Sequence, residues 1–178
     1  MSRDLKLNGT IEAAGYSGGP VAGTTGTFSG AVSGASGAFS GAVSSALVKM
    51  TPEGGLAVRL TNKTGAASIK GTIVGIKSGT DNAFDLTAID AAYNFGVVYE
   101  SGIADAALCW VVVAGIAEVL MKNAATRGQM CRVGLTADEG ETAGYAMAAA
   151  QSGTASAYKI GDCLESKDAD ALCKVLLH

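Results

Sequence analysis

Charge is scarce in this chain. Only 16% of its 178 residues are Asp, Glu, Lys or Arg, against about a quarter in ordinary soluble domains. The balance is 13 basic to 16 acidic residues, a net charge of −3. The basic residues form no cluster, so no nucleic-acid partner is expected, because neutralising phosphates takes grouped Lys and Arg. Histidine is scarcer still. The one copy, His178, is the last residue of the sequence, a poor place for a positioned general base. With no second base in sight, a Ser-His-Asp arrangement is not expected, and neither is any other enzymatic activity. Two prolines and no regular glycine triplet exclude a collagen-like chain.

Long apolar runs are also missing. The longest, from Ala106 to Met121, falls short of the roughly 20 residues a membrane-spanning helix requires, and Glu118 interrupts it. No membrane association is expected. The opening residues, MSRDLKLNGT, contain no signal-type apolar stretch, so export is not expected either. The four cysteines, Cys109, Cys131, Cys163 and Cys173, lack the close spacing of a zinc site. Buried free thiols are the expected state, with a Cys163–Cys173 bridge across a terminal hairpin as the alternative. No metal and no cofactor is expected. The glycine-rich stretches at 15–19 and 33–37 lack the following Lys-Ser/Thr of a phosphate loop.

What the chain does have is small residues and short β-prone runs. Residues 1–46 are mostly Gly, Ala, Ser and Thr, 30 of the 46, and a Phe-Ser-Gly-Ala-Val unit at 28–32 recurs at 39–43. Such a stretch buries too little to offset its own ordering entropy. Its sizeable side chains, Phe28, Val32, Phe39 and Val43, are candidate anchors on a neighbouring subunit or another surface. A plain Gly/Ser linker is the competing reading, but a linker has no use for phenylalanine. The division expected is an extended arm over 1–50 and a compact β domain over 51–178.

Within that domain, the centre is the stretch GVVYESGIADAALCWVVVAGIAEVLMK, residues 96–122. Val97 to Tyr99 and Leu108 to Val113 are β-branched and aromatic runs suited to a packed sheet. Gly115 breaks the second run and marks a bend that helps a sheet to curl. Two or three antiparallel strands are expected here. Glu118 is expected on a solvent face or paired across an interface, and Trp110 in the core or at an interface. Further strands are expected at 56–61, within 68–76, at 129–134, 157–165 and 172–177, and one helical turn within 87–94. The acids Asp138, Glu139 and Glu141 precede an alanine-rich segment, 142–151, which predicts a short helix with carboxylates at its N-terminus. The expected fold is all-β, a small antiparallel barrel or sandwich with one short helix, preceded by the arm.

Four segments, TNKTGAASIKG at 61–71, the run 96–121, ATRGQMCRVG at 125–134 and IGDCLESKDADALCKVLLH at 160–178, together resemble a family of small tailed-bacteriophage virion proteins, the capsid decoration (cement) and head-fibre-like proteins. The resemblance spans about Leu56 to His178 and omits the arm. It implies a compact, often trimeric β domain on the outside of an icosahedral shell. The implied partners are the major capsid protein and copies of the chain itself, the implied location is the virion surface, and no catalysis is implied. A fibre or glycan-binding module is the alternative, for which Tyr93, Tyr99, Tyr145 and Tyr158 are the candidate aromatic contacts.

Overall fold

The computed structural model describes residues 46–136, 138, 142–150 and 158–178. The arm anchors Phe28, Val32, Phe39 and Val43, and the acids Glu139 and Glu141, lie outside the described residues. Among the described residues there are ten strands: β1 (Val48–Met50), β2 (Gly55–Asn62), β3 (Ile73–Ile76), β4 (Ala83–Leu86), β5 (Gly96–Val98), β6 (Leu108–Leu120), β7 (Met130–Val133), β8 (Ala146–Ala149), β9 (Lys159–Cys163) and β10 (Leu172–Leu177). They form one sheet in the order β1-β2-β4-β3-β5-β6-β10-β9-β7-β8, and β2 also pairs with β6. That extra pairing closes β2, β4, β3, β5 and β6 into a ring.

β6 organises everything else. It is a single strand of 13 residues, where the sequence suggested two runs broken at Gly115. One edge of its first half pairs with β2, from Thr61↔Leu108 to Gly55↔Gly115. The other edge is shared in succession, by β5 at Val97↔Val112 and Val98↔Val111 and by β10 from Leu177↔Gly115 to Leu172↔Leu120. The strand therefore leaves the ring and enters a second group, β10-β9-β7-β8. That group turns back on the chain just after β6 through a parallel bridge, Met121↔Ala146.

Two local devices make one strand serve both groups. Leu56 stands opposite Ala114 and Ala57 opposite Val112, so Val113 is an extra residue on β6. An extra residue reverses the alternation of faces beyond it. Before the bulge, Cys109 and Val111 fill the ring with Val74, Phe84 and Val98, while Val112 faces the larger core. After it, Ala117, Val119 and Met121 face that same larger core, together with Cys131, Val133, Ala146, Ile160, Cys163, Cys173 and Val175. Gly115 makes the bend possible. Its φ is +78°, and a Cβ there would lie 2.5 Å from the carbonyl oxygen of Gly54.

The all-β expectation holds, with these corrections. No α-helix occurs among the described residues. The segment predicted as a helix contains β8, antiparallel to β7 from Met130↔Ala149 to Val133↔Ala146. Its alternate alanines, Ala146 and Ala148, sit in the core, directly across from Val133 and Cys131. The expected helical turn within 87–94 is irregular, with Asp90 at φ 60°. The sheet is not purely antiparallel, since β2 and β4 run parallel at Thr61↔Ala83 and Asn62↔Phe84. Residues 48–50, the end of the expected arm, pair with β2 as β1, and of 68–76 only the last four residues form a strand.

Candidate functional site

One end of the ring is closed by two loops, 62–71 and 99–107, bonded tightly to each other. Asn62 is fully buried. Its Nδ2 donates to the carbonyls of Ala66 at 2.8 Å and Ile103 at 2.9 Å, and its Oδ1 accepts from the backbone N–H and the hydroxyl of Thr64. The side chain thus uses its donors and acceptor together. Ser68 adds a second crossing, donating through Oγ to the Glu100 carbonyl at 2.7 Å and accepting from the Ile103 N–H at 3.0 Å. Asp105 accepts from the Gly65 N–H at 2.9 Å. Ala106 is held at φ 63°, a conformation costly for a residue with a Cβ, by its N–H bond to the Asn62 carbonyl.

Beside this plug, on the outer face of the ring, lies a cluster of aromatic rings and ions. Trp110 on β6 and Tyr99, just beyond β5, are half-buried side chains packed against the larger core. Lys49 on β1 reaches over both, with Nζ 4.4 Å from the Tyr99 ring centre and 4.6 Å from that of Trp110. Arg59 on β2 stands 5.6 Å from the Trp110 ring, and Lys70 stands 5.3 Å from that of Tyr99. Acids complete the set. Lys49 pairs with Glu100 at 3.5 Å, and Lys70 with Glu118 at 2.5 Å. The Glu118 bond holds the Lys70 ammonium above its usual range, against the opposing effect of burial. Burial raises the Tyr99 hydroxyl, helped by nearby Glu53. One oxygen of Glu53, Oε2, is buried without a hydrogen-bond partner. Glu118 is therefore an ion-pair partner within the chain, joined to the aromatic cluster through Lys70.

The arrangement suits holding β1 and the outer face in place. Cations over aromatic faces attract the ring quadrupole, by about 0.5–1 kcal/mol each at exposed sites. The same cations occupy the ring faces on which a sugar would stack. Tyr145 is likewise approached by Lys122, at 5.6 Å, and Tyr158 packs on the core. Tyr93 alone of the four candidate tyrosines stands open, at 87% exposure.

A second polar feature escaped the sequence reading. Asp138, placed there at a helix start, binds the guanidinium of Arg132 on β7 in a two-pronged pair of 2.7 and 2.8 Å. It also accepts from the Leu135 N–H at 2.7 Å. Arg132 is 7% exposed, and its Nε has no partner. Sequence gives one hint of this pairing: a lone arginine in a β-prone run needs a nearby acid if the run is buried.

A cleft of about 210 Å³ opens where β5 stops and β10 begins along β6, lined by Phe95, Val97, Val113, Ile160, Leu177 and His178 among others. His178 Nε2 lies 3.4 Å from Asp162, which also pairs with Lys159. All four cysteines are free and buried. Among the described residues, no group of three or more His, Cys, Asp or Glu side chains is placed to hold a metal ion.

No protein-family profile matches the chain, and no curated protein matches it. Among solved structures, it is similar to the head fibre gp8.5 N base of bacteriophage phi29. That likeness is 12% identical, covers 68% of this chain and 92% of the other, and has a TM-score of 0.47.

Proposed function

We propose that this chain is a non-enzymatic structural protein of a phage virion, bound to the outside of the capsid as a symmetric trimer. Its partners are the major capsid protein and its own copies, and residues 1–50 attach it to the shell or to neighbouring subunits. The observation that carries this reading is where the resemblance to phage decoration and head-fibre-like proteins falls. Segment 61–71 supplies Asn62 and Ser68 of the loop plug. Segment 96–121 is β5 and β6, and segment 160–178 is most of the β9–β10 hairpin. The segments that carry the resemblance are thus framework segments, which suits a protein whose shape and rigidity are its working property.

A chain with so few charges, and with Leu47 and Met50 of the arm's root exposed at 65% and 44%, is suited to being covered by neighbours. Many weak contacts repeated by symmetry give strong attachment through effective concentration. Deleting residues 1–46 is expected to leave a folded, soluble oligomer that no longer decorates capsids. Electron micrographs of particles mixed with the full or shortened chain test this. Equal decoration by both would remove the arm's role, and a monomeric full chain would remove the trimer.

The alternative, a fibre or host-glycan module, is favoured by the exposed ring of Tyr93. Glycan-array binding lost on Tyr93→Ala would support that reading over decoration.

A further inference from the structure

The ring of strands has two unlike ends. The loop plug around Asn62 closes one. Toward the other, the ring core runs out to side chains that are only partly covered. Leu60 on β2, Val113 on β6 and Phe95 before β5 pack against the ring core. Val58 and Leu56 sit at alternate positions from Leu60 along β2, so all three share one face. Val48 and Met50 on β1 stand opposite Val58 and Leu56 and continue that face, since directly paired residues point the same way. Leu56, Val58 and Val113 are half-buried, and Val48 and Met50 are 41% and 44% exposed. These side chains make an apolar mouth, and its outermost strand, β1, is the first in the sheet order.

We propose that segment 39–43 of the same chain covers this mouth, lying along β1 as an added strand with Phe39 and Val43 turned onto Val48 and Met50. The pattern of the segment suits the place. In an extended Phe-Ser-Gly-Ala-Val unit, residues 39, 41 and 43 share one face. That face has two apolar side chains with Gly41 between them, and a strand glycine lets another backbone come close. The opposite face has only Ser40 and Ala42. The backbone bends at 46–47, immediately before β1, and residues 44–47 are the right number for a four-residue hairpin loop. The chain parts into two units between Ala38 and Phe39, so the second copy of the repeat goes with the β domain and the first does not. A tether this short gives the segment an effective concentration in the millimolar range, which a neighbouring copy in dilute solution does not match.

Strand addition of this kind draws affinity from main-chain bonds and selectivity from alternate side chains. The assignment stands apart from the virion reading. It leaves Phe28 and Val32 of the first copy for a partner surface, and it holds whether or not that partner is a capsid.

The repeat supplies its own control. Both copies read Phe-Ser-Gly-Ala-Val, so their free amides exchange with deuterium at nearly the same rate, and a difference between them reports docking. In the full chain, exchange followed by mass spectrometry is expected to be roughly 100-fold slower in 39–43 than in 28–32. Met50→Ser is expected to remove most of that difference. Leu108→Ser, at a leucine 49% exposed beside the plug, should leave it in place. Both substitutions are at partly exposed positions, and circular dichroism checks that each variant is folded. Equal exchange in the two copies overturns the proposal, as does protection of 39–43 that survives Met50→Ser unchanged. Protection lost on dilution of a still-folded chain assigns the segment to a neighbouring copy and overturns it as well.

Discussion

The side-chain amide of Asn123 occupies the place of a neighbouring strand against Ala148. Its Nδ2 donates to the Ala148 carbonyl at 2.9 Å, and its Oδ1 accepts the Ala148 N–H at 2.8 Å. β8 is the last strand in the sheet order; the Lys122 N–H already donates to the Ala146 carbonyl, and the Ala148 groups would otherwise lack a partner on that side. One amide supplies both a donor and an acceptor at the spacing of a peptide unit, which blunts an edge that could pair with another chain. Asn123→Ala is expected to destabilise the fold by roughly 1–3 kcal/mol, the cost of leaving buried polar groups unmet. Asn123→Asp should do no better, because a carboxylate faces the Ala148 carbonyl with no donor. Urea denaturation decides the matter, and an unchanged midpoint for the alanine variant would refute the role.

Gly115 and Gly128 separate backbone strain from crowding. Both have positive φ, +78° and +83°, but a Cβ at Gly128 meets nothing within 4 Å, whereas one at Gly115 meets the Gly54 carbonyl at 2.5 Å. Gly128→Ala should cost about 1 kcal/mol, the conformational penalty alone. Gly115→Ala should cost roughly 3 kcal/mol or more, since two backbones must separate at the bulge. Equal midpoints for the two variants would mean that the close approach of β2 and β6 is unimportant.

Stability should fall with acid in a way traceable to Asp138. The Arg132 hydrogen bond, aided by the Leu135 N–H, holds the Asp138 carboxyl below its usual range. A lowered folded-state pKa gives stability that is fully present above the unfolded carboxylate value, about 4, and lost as pH falls through the folded value. Below about pH 4, then, the wild type should lose stability that Asp138→Asn never had, and their denaturation midpoints should converge. At neutral pH, Asp138→Ala should cost roughly 3–5 kcal/mol by stranding a buried guanidinium. Parallel pH profiles for wild type and Asp138→Asn would contradict this account.

Lys49 should tie β1 to the ring. Lys49→Ala is expected to cost roughly 1–2 kcal/mol, the sum of two cation–aromatic contacts and a partly exposed ion pair, and Lys49→Arg should recover most of it. The chain holds one tryptophan, so the fluorescence of Trp110 reports directly. A red shift is expected on Lys49→Ala, with faster proteolysis near residues 46–51. An unmoved emission spectrum would show that Trp110 is shielded without Lys49.

Much of the fold was legible because β6 and β10 advertise themselves. Alternating or continuous β-branched runs bounded by turn residues leave few other structures, and 172–177 was placed to the residue. The β8 segment was not legible. Alanine has high helix propensity and no polarity contrast, so neither period can be read from Tyr145 to Ala149, and pairing with β7 overrode propensity. The aromatic cluster was half legible. Tyr99 and Trp110 were singled out separately, but the cations over them come from 49, 59 and 70, and nothing local links those positions.

Composition and pattern alone determined that this chain is built of strands, organised around residues 96–121, and poor in charge. Those are one-dimensional properties, written in the alternation and spacing of neighbours. Only the tertiary structure decided that β6 is shared by two groups of strands, that β2 and β4 run parallel, that Asp138 answers Arg132, and that Cys131, Cys163 and Cys173 share one core. Each of these depends on which distant residues the bulge at Val113 and the bend at Gly115 bring face to face, and an extra residue in a strand reverses every later side chain without leaving any mark in the sequence pattern.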